Sequence, residues 1–330
     1  MDTHLRYLKI VESEHAELIN CVQEIYNALI DLHYFHQEEI IYPPYGVPGK
    51  PSLATAELKR LGFTEEIIAL LELLPYPSNE MMNAYAAQHE GLPMAPDSAV
   101  VSYLEGADQK RLRAARQPYC DGEIGLPAWA FKITTGGLDF GMNYIYDIRS
   151  KLMVRWDPQA QFGDFSDQPH RSPGEVMRLL VGELRSLDWL PWRVEHGHVR
   201  SMNIYSRPTY KQHMSSLGST NRYSAIEDDR GINNGPEEES EIDNTFYSER
   251  VAAAKAAQNR YMYKRNLYEE CGWPDNFRGE EFERRKEALE TEWIDLVSGL
   301  GLQSMHCLTQ KEGSKLRDWY KEKAGSRAVC

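Results

Sequence analysis

Residues 134–156 (TTGGLDFGMNYIYDIRSKLMVRW) constrain the fold of this chain more than any other segment. Gly136-Gly137 supplies a turn. Aromatic and β-branched residues then run from Met142 to Ile148, and Arg149-Ser150-Lys151 joins them to a second run, Leu152 to Trp156. Ahead of the turn, Trp129 to Ile133 alternates in side-chain character. Three such runs joined by short connections predict antiparallel strands inside a mixed domain. A fold class follows from this segment more readily than a reaction does.

The helical signals flank that centre. Asp2 and Thr3 can cap a helix across the first 35 residues. Within it Val11, His15, Leu18, Val22, Ile25, Leu29 and Leu32 alternate spacings of four and three. That heptad fits either a coiled-coil homodimer or a helix packed on its own domain, with His15 a hydrogen-bonded seam residue. Ser52 is placed to cap a short helix ending at Gly62. Thr64 caps the next, EEIIALLELLP, with Phe63 and Ile68 set as a hydrophobic staple. Ser172-Pro173-Gly174-Glu175 combines a capping box with Pro at the first helical position, and its helix is expected to bury Val176, Leu179, Leu180 and Leu184. A further strand is expected near Val199 to Tyr205 as an addition to the sheet. The fold class is therefore α+β: a small, mainly antiparallel sheet with flanking helices and a helical C-terminal third.

Charge marks the organisation. Residues 225–243 hold eight acids and a single arginine, about half of the net −13. With Gly231, Gly235 and Pro236 and few apolar residues, they read as an acidic mobile loop over 225–245. It separates an α+β core, 1–224, from a helical segment, 246–330, expected to pack on that core. Helices are predicted up to Glu270 (stopped by Gly272 and Pro274), from Gly279 to Ser298, and over 310–324.

Several function classes are excluded. No basic stripe is present, so nucleic acid is not an expected partner. Apolar runs fall short of the roughly 18 residues of a spanning helix, so neither is a membrane. The five cysteines (21, 120, 271, 307 and 330) are odd in number and scattered, which implies free thiols in a reducing compartment. The expected location is cytoplasmic or nuclear, not secreted. Neither G-x-S-x-G nor S-x-x-K nor a Gly-rich dinucleotide turn occurs, so no cofactor is implied.

Four residues remain as candidates for chemistry. Asp147 is a possible catalytic carboxylate, although an Asp here also closes turns by bonding its own backbone. Arg155 is the nearby cation. His196 and His198 form the closest histidine pair. On a regular strand both rings would face one side and could hold Zn²⁺ or Fe²⁺, but Gly197 between them favours a turn and no metal is expected. Trp156, Trp189 and Trp192 are candidate binding residues, with core packing as the alternative.

The order of a helix ending in Leu74-Pro75, the Gly136-Gly137 turn, the Ile145-Tyr146-Asp147 strand, a strand ending in Trp156, a helix, then Leu187-x-x-Leu190-Pro191 resembles uncharacterised proteins of filamentous ascomycetes. It is also similar to the SUKH superfamily of fungal cell-wall regulators and bacterial immunity proteins. The resemblance spans about residues 20–195. It implies an α+β domain that binds a protein partner and catalyses nothing, as a monomer or as a homodimer through the N-terminal helix. The alternative is a motif-free enzyme of fungal small-molecule metabolism, with a metal at His196/His198.

Overall fold

In the computed structural model the described residues are 3–86, 92–96, 98–107, 112–113, 115–116, 125–136, 142–156, 165–196, 199–206 and 261–299. The acidic stretch 225–243, His198 and the helix expected over 310–324 lie outside them. The chain divides into two compact units, 1–205 and 206–330.

The first unit is mixed α+β, built on a six-stranded antiparallel meander: β3 (Pro93–Ala95), β4 (Ser98–Val100), β5 (Ala130–Gly136), β6 (Asn143–Asp147), β7 (Leu152–Trp156) and β8 (His170–Arg171), in that spatial order. The hairpin expected from residues 142–156 is β6–β7, with Asn143 opposite Trp156 and Asp147 opposite Leu152. Every residue of β6 is buried, so both faces of the sheet are covered. Ile145, Val154 and Trp156 lie on one face and pack with Leu126 and Ala130. Tyr144 and Tyr146 point to the other.

The N-terminal heptad forms α1 (Thr3–Glu14) and α2 (Ala16–Asp31), two helices where one was expected. All seven seam residues are buried within the chain, the least covered, Val11, at 3% exposure. The seam packs on its own unit, largely against α6 (Pro173–Arg185), the next long helix after the short α5 (Asn79–Ala86), so it is not a free coiled-coil face.

Local capping signals are realised to different degrees. Thr64 Oγ1 accepts from Ile67 N at 3.3 Å and opens α4 (Glu65–Leu71). Ser172 and Glu175 form the reciprocal box that opens α6, at 3.2 and 3.1 Å. Ser52 caps nothing: α3 (Thr55–Arg60) begins after Ala54, without a side-chain cap. Leu179 is 58% exposed, because α6 turns Val176, Met177, Leu180, Val181 and Leu184 inward instead.

Two short sheets complete the unit. β1 (Ile40–Ile41) pairs with β2 (Tyr76–Pro77). The strand expected near Val199 is β10 (Val199–Ser206), and it pairs with β9 (Trp189–His196) apart from the main sheet. The two strands are consecutive in the chain, so β10 pairs with its own neighbour in sequence and does not extend β8. Arg193 on β9 makes a part-buried bidentate pair with Glu39, at 2.6 and 2.9 Å.

The described part of the second unit is helical over 261–270 and Gly279–Gly299. Gly272 sits at φ 94°, and a Cβ there would meet Asn276 O at 2.2 Å, which accounts for glycine at this helix stop. Tyr268, Trp273, Phe277 and Phe282 pack as an aromatic cluster beneath the turn. No helix among the described residues is long and apolar enough to cross a membrane.

Candidate functional site

The feature that sequence spacing does not disclose lies where α1 meets α2. His15 departs from helical geometry (φ −117°, ψ 20°), yet its N–H bonds Val11 O at 3.0 Å and its carbonyl accepts from Ile19 N at 3.2 Å. The helix is kinked at one residue and its ladder persists. His15 is 2% exposed. Its Nδ1 lies 2.8 Å from the Tyr146 hydroxyl in mid-β6, and the two rings meet edge to face at 5.8 Å. Burial pushes the His15 imidazolium toward the neutral form, reinforced by Lys151 and opposed by Glu66 and Glu14. Burial also holds the Tyr146 phenol protonated.

The second ring nitrogen faces acid. Nε2 is 3.7 Å from Glu66 Oε1, beyond hydrogen-bond reach, and has no hydrogen-bond partner among the described residues. Glu66 belongs to the first turn of α4, and Glu14 precedes the histidine on α1. One ligating atom from each of Glu14, His15 and Glu66 falls within a 4.8 Å cluster. Lys151, in the β6–β7 turn, approaches Glu14 Oε2 at 3.4 Å.

Beside this point is an open cleft of about 430 Å³. His4 and Tyr7 of α1 form one wall and Glu65, Ile68, Ala69 and Glu72 of α4 the other, with Tyr45 and Leu53 also lining it. Two polar contacts lie on its rim: His4 Nε2 is 3.2 Å from Glu72 Oε2, and Lys59 pairs with Glu65 at 2.8 Å. Of the large exposed apolar side chains, Tyr7 (38%) lines the cleft itself; Leu5 (51%) and Ile10 (56%) are exposed elsewhere on α1, and Val47 (37%) on the 42–53 loop that supplies Tyr45 and Leu53.

The candidates expected from sequence lie elsewhere. Asp147 is buried at the end of β6, and its Oδ1 accepts from Arg149 N at 2.9 Å and Ser150 N at 3.4 Å, the geometry of a turn-closing aspartate. Arg155 is exposed and pairs in register with Tyr144, three residues back along β6 from Asp147, so the two do not converge. Trp156 and Trp192 are at most 1% exposed and offer no surface to a partner; Trp189 is half-buried. His196 ends β9, while His198 lies outside the described residues.

No family model, curated protein or solved structure matches this chain. Of the cluster at the kink, only the Glu14-His15 dipeptide inside an apolar seam carried a signal in the sequence; Glu66 is brought to it by the fold.

Proposed function

We propose that this chain is a non-catalytic, intracellular protein-binding module. Its binding surface is the α1/α4 cleft, and its partner is a peptide segment carrying apolar anchors and basic residues. One observation carries the reading: exposed Tyr7 lines an open cleft together with Leu53, Ile68 and Ala69, and the segments that supply Tyr7 and Leu53, α1 and the 42–53 loop, also expose Leu5, Ile10 and Val47. Glu65 and Glu72 on the rim are engaged with Lys59 and His4, groups that a basic partner would replace. The separation of Asp147 from Arg155, and the commitment of Asp147 to its turn, favour binding over catalysis. The resemblance to the SUKH superfamily points the same way, since it implies a domain that binds a protein partner.

Peptide display against the immobilised full-length protein tests the proposal. Selected sequences are expected to combine apolar and basic residues, and to bind Tyr7→Ser/Ile10→Ser protein at least about tenfold more weakly than wild type. Equal binding to both proteins would place the partner surface elsewhere.

A further inference from the structure

We infer that Glu14, His15 and Glu66 form a binding site for a divalent transition-metal ion of the zinc class. The His15 side chain is fully buried, yet among the described residues its Nε2 has no hydrogen-bond partner; it lies 3.7 Å from a Glu66 carboxylate oxygen, and Glu14 belongs to the same 4.8 Å cluster. A buried polar atom without a partner is costly, and native structures seldom keep one without a reason. Glu66 Oε1 lies on its outer side at 3.7 Å. Around a tetrahedral ion with bonds of about 2.0–2.1 Å, neighbouring ligand atoms stand about 3.3 Å apart. The His15–Glu66 spacing is thus within a few tenths of an ångström of that edge, and only the Glu14 carboxylate must swing inward within the 4.8 Å cluster. Both carboxylates are half exposed, at 48% and 46%, so they have freedom to close on an ion.

The outer arrangement fits a metal-bound imidazole. With Nδ1–H donating to the Tyr146 hydroxyl oxygen at 2.8 Å, the Nε2 lone pair faces the carboxylates. Metal-ligating histidines are held in one tautomer by just such a bond from the other ring nitrogen. Two carboxylates and a neutral imidazole suit a borderline ion better than calcium, which prefers six or more oxygens. The exposed side of the cluster leaves a fourth position for water. Lys151 is the resident competitor, because its ammonium lies 3.4 Å from Glu14. The site owes nothing to His196 or His198, and it stands independently of the peptide-binding proposal.

The test uses the full-length, untagged protein, stripped with chelator and titrated with Zn²⁺ by calorimetry, with Co²⁺ absorption as the probe of ligand type. Wild type is expected to take up about one equivalent with nitrogen and oxygen ligands. Glu66→Gln and Glu14→Gln keep shape and remove charge at half-exposed positions, and each should weaken binding at least about tenfold. Tyr146→Phe should weaken it about 10–100-fold through loss of the bond that orients His15. Lys151→Gln should tighten it. Three outcomes would overturn the inference: no uptake at millimolar Zn²⁺, affinity unchanged in both glutamate variants, or a sulfur-to-cobalt charge-transfer band.

Discussion

Replacing Tyr146 by Phe removes one oxygen and nothing else, which makes it the sharpest probe of the kink. Among the described residues the hydroxyl is the one hydrogen-bond partner of the His15 ring, and Nε2 has none. Without it, a side chain that is 2% exposed would keep two polar nitrogens in a dry environment. Leaving a buried donor or acceptor unpaired costs about 1–3 kcal/mol, whereas replacing both partners by apolar groups of similar shape is nearly neutral. Tyr146→Phe and His15→Leu should therefore each destabilise by about 1–3 kcal/mol, and the double variant by clearly less than their sum, with a coupling of about 1 kcal/mol or more. Urea denaturation in chelator at neutral pH measures all four corners of the cycle, compared at matched m values. Additive effects, or a Tyr146→Phe midpoint equal to wild type, would show that the 2.8 Å contact contributes nothing.

Further expectations follow from burial and turn geometry. Leu18→Glu places a carboxylate at a position with no exposure and should cost roughly 3 kcal/mol or more, read as a large fall in the thermal midpoint. Asp147→Ala removes the acceptor for two turn amides and should cost about 1–2 kcal/mol, with Asp147→Asn milder, checked by the same melts.

What could be read from the sequence was what local chemistry controls. Residues 142–156 form the expected hairpin because strand composition and connection length both act over a few residues. Ser172 and Glu175 meet as expected because a capping box lies within one turn. The seam from Val11 to Leu32 is buried as its period requires, although the period alone could not say whether a second chain or α6 would cover it. Leu179 was misplaced by a fraction of a turn: the apolar face of α6 runs through Met177 and Val181, one residue's rotation away. The cluster at the kink was legible only in part. A histidine in an apolar seam after an acid is visible, but Glu66 lies 51 positions beyond His15 and has no spacing relation to it. Only the docking of α4 beside α1 brings the two together.

The kink also divides the N-terminal arm into two parts of very different tenacity. Val11 is the one fully buried residue in the twelve of α1, whereas α2 buries seven of its sixteen. Local opening is easiest where few apolar contacts must be broken. Amide exchange should accordingly run well ahead in α1 of its rate in α2, with the change falling at His15. One wall of the cleft is then the part of the unit expected to open first, ahead of α2 and the six-stranded sheet.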